Sequence, residues 1–176
     1  ARALWELMPE GTLHLSALMC GAHRAQKIVE IKDRLRNGEP TRVISTQLVE
    51  AGVDVDFPAV YRAAAGLDSI AQAAGRCNRE GLREMGDVFV FTPPSRIPAG
   101  HLRQAADIGM RLLKEADGDP LAADRFEAFF REFFWMRGAR LDKEGIMGLL
   151  HNDKELRFSF RSAARRFHLI DESSQA

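Results

Sequence analysis

The sequence predicts an α/β chain: a parallel sheet interleaved with helices, followed by a mostly helical extension. Three observations predict it. Short apolar runs at Arg42–Thr46, Ala59–Ala63 and Asp87–Phe91 alternate with segments of helical period at Ala22–Asn37 and Ser69–Glu80. Such alternation implies parallel strands covered by helices on both faces. Beyond Thr92-Pro93-Pro94-Ser95-Arg96-Ile97-Pro98, where three prolines in seven residues exclude helix and central strand, the period is helical throughout.

Taken in order, Ala1–Met8 reads as a helix, with Ala3, Leu4, Leu7 and Met8 on one side, and Pro9-Glu10-Gly11 as a turn. Thr12–Ala17 alternates and reads as a strand, and His14 fills its polar side. Ala22–Asn37 is a helix with an apolar stripe of Ile28, Val29, Ile31 and Leu35, stopped at Gly38. His23 and Arg24 fall in its first turn. They are either a solvated basic turn or groups beside a helix N-terminus that offers free N–H groups to phosphate.

Arg42–Thr46 is too short and apolar for a surface strand, and the turn around Gly52 returns the chain to the strand at Ala59–Ala63. The next helix starts at Asp68 or Ser69, either of which can cap it, and Gly81 can end it. Past the proline run, helices are expected over Gly100–Ala116, Leu121–Arg137 and Leu141–Leu150. Phe126, Phe129, Phe130, Phe133 and Phe134 form a stripe on the second. Such a stripe is core material, with stacking on bases as the alternative. Arg157, Arg161 and Arg165, joined by Arg166 and His168, make either a phosphate-contacting face or a solvated one. The predicted boundaries are 1–95 for the sheet domain, 96–170 for the helical region and 171–176 for a tail.

Composition narrows the function classes. The 176 residues carry 25 basic and 25 acidic side chains, so nucleic-acid binding needs a local patch rather than a global field. Cys20 and Cys77 lack the paired spacing of a zinc site or disulfide framework and suit a reducing cytosol. The five histidines are scattered, so no metal site is expected. No apolar run reaches membrane-spanning length, so no membrane partner is expected and the cytoplasm is the expected location.

The chemistry concentrates between Arg42 and Gly81. On a helix over Ser69–Glu80, Gln72, Arg76 and Arg79 stand at i, i+4 and i+7, on one face, with Gly75 allowing close approach. A glutamine and two arginines in one stripe suit a polyanion, since guanidinium forks match phosphate geometry and stay charged. Gln72-x-x-Gly75-Arg76-x-x-Arg79 resembles motif VI of superfamily 2 helicases, and Ser45-Thr46 with Glu50-Ala51-Gly52-Val53-Asp54 resembles motif V. The wording around both motifs is most similar to the CRISPR-associated helicase-nuclease of type I systems.

The resemblance implies the second RecA-like lobe of an ATP-dependent helicase. It implies that Arg79 is the arginine finger, Arg76 its partner on the γ-phosphate, and Gln72 the residue that orients them. It places Asp54 near the nucleotide ribose, with Gly52 and Gly75 allowing close approach. It assigns Ser16, His23, Arg24, Ser45 and Thr46 to the nucleic-acid backbone. ATP and magnesium would be held mainly by the first lobe, since no Gly-x-x-x-x-Gly-Lys-Ser/Thr loop occurs here. No ATPase activity is therefore expected of this chain by itself.

The implied partners are single-stranded DNA, an RNA-guided surveillance complex, and the first lobe and nuclease domain of the same protein. The lobe's opening strand would lie upstream of Ala1, so the sheet is expected to be incomplete at its N-terminus and the chain a fragment. Two alternatives remain at this point: a lobe of another superfamily 2 helicase acting on DNA or RNA, and a non-catalytic binding or regulatory module.

Overall fold

The computed structural model describes residues 1–47, 53–94, 97–151 and 158–167. The chain divides into two compact units, Ala1–Phe129 and Phe130–Ala176. In the first, α1 (Arg2–Trp5) leads into β1 (Leu13–Leu15), α2 (Gly21–Arg36) and β2 (Val43–Ser45). Next come β3 (Ala59–Ala63), α3 (Leu67–Ala74), β4 (Asp87–Phe91) and α4 (His101–Lys114). The boundary between the units falls inside α5 (Ala123–Arg137). The second unit continues with a 3-10 turn (Gly138–Asp142), α6 (Ile146–Leu150) and α7 (Phe160–Arg166).

The α/β class holds, and every paired strand is parallel. The arrangement differs from one continuous sheet. Among the described residues β1 pairs with β2 (Leu13 opposite Val43), and β3 separately with β4 (Ala59 opposite Asp87). Val53 and Val55 are buried in one cluster with Leu13, Leu15 and Ile31, which Ile28 and Leu35 of α2 extend. They join that core by side-chain packing rather than by ladder pairing.

Among the described residues, cover on both faces is not found at β3–β4. Tyr61 is 70% exposed and stacks on the neighbouring Phe89 at 4.7 Å, with Val88 and Phe91 also exposed. The other side of this region is well packed, because Leu67, Ile70 and Ala73 of α3 are buried, as are Ala106, Ile108 and Leu112 of α4. A Cβ on Gly109 of α4 would stand 2.6 Å from the Ala65 carbonyl oxygen, so the two segments meet backbone to backbone. Phe129 is 1% exposed with its ring edge against Gly66, which satisfies the core reading of the aromatic stripe at that position. Phe130 and Phe134 are exposed and stack on each other at 5.6 Å.

Two helices depart from expectation. The first is a single turn. Met8 precedes a proline and is disfavoured in helical conformation, and Trp5 Nε1 donates instead to the Thr12 carbonyl at 2.6 Å. Neither Asp68 nor Ser69 caps α3; Gly66 occupies the cap position, without a side-chain hydrogen bond, and Asp68 lies in the first turn. Most consequentially, α3 ends at Ala74 instead of continuing to Glu80. In the second unit, Asp142 accepts from the Ile146 and Met147 N–H groups at the start of α6, at 2.6 and 3.0 Å. Arg161 and Arg165 lie on α7 and are exposed, while Arg157 and His168 fall outside the described residues. Among the described residues, no helix is long and apolar enough to cross a membrane.

Candidate active site

The end of α3 decides the geometry of the arginines. Gly75 is the C-cap, and the Arg76 and Cys77 N–H groups bond to the Ala73 and Ala74 carbonyls at 3.0 and 2.8 Å, a tightened last turn. The chain then leaves the helix to pair with Phe57. Phe57 N donates to Arg76 O, and Asn78 N to Phe57 O, each at 2.9 Å. These bonds engage backbone groups that a continuing helix would need. Gln72 therefore sits in the last turn of α3, Arg76 in the turn and Arg79 in the following loop, rather than in one helical row.

That loop is held at several points. Asn78 takes a left-handed conformation, φ 49°. Its side-chain amide donates to Arg83 O at 2.7 Å, and its Oδ1 accepts from Arg83 N at 3.0 Å. The Arg79 N–H donates to Asp56 Oδ1 at 2.6 Å, and Arg83 Nη1 approaches Asp56 Oδ2 at 3.4 Å. The Cys77 thiol donates to the Asp87 and Pro58 carbonyls at 3.3 and 3.5 Å. Burial pushes this thiol's pKa up, and the charges of Asp87 and Asp56 act in the same direction.

Across the loop, Arg79 Nε meets Asp54 Oδ1 at 2.9 Å, with the side chains 41% and 62% exposed. The residues singled out from two separate motifs are thus in direct contact. An ion pair this exposed contributes about 1 kcal/mol or less, so the guanidinium is open to exchange onto a stronger anion. Arg76 is half-buried with its Nε inside the protein. Gln72 and Gly75 are exposed, and Gly52 lies outside the described residues. The loop does not lie beyond the carboxyl ends of β3 and β4. It borders their amino ends, because Asp56 and Phe57 precede β3 and Asp87 N bonds to Pro58 O at 3.2 Å.

The other predicted positions follow the carboxyl ends of β1 and β2. Leu15 pairs with Ser45, and Thr46 N continues the ladder to Leu15 O at 3.1 Å, which sets Ser16 and Thr46 at the same strand edge. Thr46 is exposed and Ser45 half-buried, its hydroxyl donating to Thr46 O at 2.8 Å. Ser16 is buried, and its Oγ accepts from Leu18 N at 3.2 Å, so it shapes the turn that leads into α2. His23 is exposed and Arg24 half-buried in the first turn of α2. Among the described residues, no group of three or more His, Cys, Asp or Glu is placed to hold a metal ion.

Sequence reasoning missed Asp56, Asn78 and Arg83. The signals were there: Asp54 and Asp56 share one side of an extended segment, and asparagine tolerates left-handed backbone.

Comparisons with known proteins converge on one description. A family described as CRISPR-associated nuclease/helicase Cas3, C-terminal, matches residues 2–82. The chain is 38% identical over 123 residues to the CRISPR-associated nuclease/helicase Cas3 of Haloferax volcanii, covering 59% of this chain and 13% of that protein. It is 30% identical over 116 residues to the Cas3 of Methanothermobacter thermautotrophicus, covering 63% of this chain and 14% of that one. It thus spans under a sixth of the length of these relatives. The crystal structure of T. fusca Cas3-AMPPNP superposes with a TM-score of 0.54 at 18% identity, over 94% of this chain and 20% of that one, a likeness of fold. Residues 2–82, which carry Arg76, Arg79 and the acidic residues Asp54 and Asp56, thus match the C-terminal segment of CRISPR-associated nuclease/helicase Cas3, and the curated relatives are Cas3 proteins.

Proposed function

We propose that the chain is the second motor lobe of an ATP-dependent translocase that moves along single-stranded DNA in CRISPR interference. The observation that carries this reading is the 2.9 Å contact between Arg79 and Asp54, which joins the two motif segments at one exposed, charged edge. A guanidinium in an exposed pair matches the needs of a polyphosphate, which it binds through charge-assisted forks. T. fusca Cas3-AMPPNP, a fold neighbour, supports a nucleotide as the ligand.

In this reading Arg79 leaves Asp54 and meets the terminal phosphate, and Arg76 supports it. Gln72, in the last turn of α3, orients the pair. Asp54, once released, lies free for the ribose hydroxyls, with Gly52 and Gly75 leaving room for the nucleotide. Bound ATP with magnesium, held mainly by a first lobe, supplies the free energy of hydrolysis. Thr46 and Ser45 at the β1–β2 edge, with His23 and Arg24 of α2, contact the DNA backbone, and Ser16 shapes the turn beside them. The partners are a first lobe and a nuclease domain of the same protein, together with an RNA-guided surveillance complex, in the cytoplasm.

The test is Arg79→Ala in the intact protein. Hydrolysis should fall by about 10³-fold or more, as for loss of an arginine finger, with nucleotide affinity nearly unchanged. Wild-type turnover in this variant would remove the finger role.

A further inference from the structure

We propose that Asp56 is the positioning residue of the finger loop, a role that rests on reading Arg79 as the finger. One carboxylate grips both ends of a short loop. Its Oδ1 accepts the Arg79 N–H at 2.6 Å and its Oδ2 faces Arg83 Nη1 at 3.4 Å. The Asp56 side chain is 15% exposed, against 62% for Asp54, so its carboxylate is better shielded from water than that of Asp54. A backbone N–H held by a carboxylate is a charge-assisted bond, roughly twice as strong as a neutral one.

Asp56 is itself fixed. The next residue, Phe57, is clamped to Arg76 and Asn78 by two backbone bonds of 2.9 Å. The loop carries little apolar packing of its own, since residues 79–83 are all exposed. Its shape rests on Asp56, on the reciprocal Asn78–Arg83 bonds, and on Gly81, whose φ of 65° turns the chain back. Of these, Asp56 alone holds the Arg79 backbone from outside the loop. It acts through Arg79 and needs no contact with the nucleotide.

The two oxygens have separable roles. Asp56→Ala removes both contacts. Asp56→Asn keeps an oxygen acceptor for the Arg79 N–H and gives up the charge that faces Arg83. Arg83→Gln weakens the Arg83 contact alone. Each is made in the intact protein and assayed by steady-state ATP hydrolysis and by hydrogen exchange of the peptide covering residues 78–83.

Asp56→Ala is expected to lower kcat by about 100-fold, the scale of an ångström-sized misplacement, while KM for ATP moves less than about threefold. Exchange in the loop should quicken by about tenfold or more. Asp56→Asn and Arg83→Gln should each stay within about tenfold of wild-type kcat, with the loop still protected. A merely structural role would lower thermal stability without this split between kcat and KM and without rescue by asparagine.

Wild-type kcat or unchanged loop exchange in Asp56→Ala overturns the inference. So does an Asp56→Asn variant as inactive as Arg79→Ala, an outcome readable even where Asp56→Ala does not fold. If Arg79→Ala itself hydrolyses ATP at the wild-type rate, the finger reading fails and this inference with it. An inactive Arg79→Ala beside a fully active Asp56→Ala sinks the inference alone.

Discussion

Gly109 offers a sharp test of the packing that supports the arginine loop. It lies within α4, where glycine costs a helix about 1 kcal/mol relative to alanine. On propensity alone, Gly109→Ala should therefore stabilise. The structure reverses the sign. A Cβ there would sit 2.6 Å from Ala65 O, 3.0 Å from Leu67 N and 3.3 Å from Gly66 C. These are backbone atoms of the β3–α3 turn, which no rotamer change can move aside.

Overpacking typically costs about 1–3 kcal/mol, and contact with three rigid backbone atoms argues for the upper half of that range. After subtraction of the propensity gain, a net loss of about 1–2 kcal/mol remains. The assay is hydrogen exchange of the α3 and α4 amides, which should quicken by about 5- to 30-fold. Gly148→Ala in α6 is the control. Nothing lies within 4 Å of a Cβ there, so the same substitution should slow exchange in α6. Unchanged or slower exchange in α3 and α4 of Gly109→Ala would refute the close-approach argument.

Phe129→Ala should cost about 3–5 kcal/mol of local stability, since the ring is 1% exposed and lies against Gly66; loss of α3 protection in the same exchange experiment checks it. Cys77 should alkylate far more slowly than Cys20 at mildly alkaline pH. A raised pKa leaves less thiolate at any given pH, and the Cys77 thiol is engaged by two carbonyls whereas Cys20 is exposed. Mass spectrometry after brief iodoacetamide treatment reads the order, and equal labelling would contradict the burial described.

What the sequence determined by itself is local and periodic. The runs at Val43–Ser45, Ala59–Ala63 and Asp87–Phe91 are strands because their apolar, β-branched and aromatic side chains need a pleated, packed surface. The helix at Gly21–Arg36 follows from its apolar spacing. The resemblance assigned Arg79 and Asp54 to one nucleotide site, but the 2.9 Å contact between them is contained in neither motif and comes from the structure.

Only the tertiary structure decided where α3 stops. Ser69–Glu80 has a sequence that tolerates helix, and the competing partner for its backbone, Phe57, arrives from residues well upstream. Helix propensities differ by tenths of a kcal/mol per residue, while a buried or constrained backbone group left without a partner costs about 1–3 kcal/mol. The bridge to Phe57 therefore outweighs the local preference, and it turns a predicted row of side chains into a loop gripped by Asp56. The same reason explains Gly109. A glycine in a helix reads as a weakness until the turn that must pass beside it is in place.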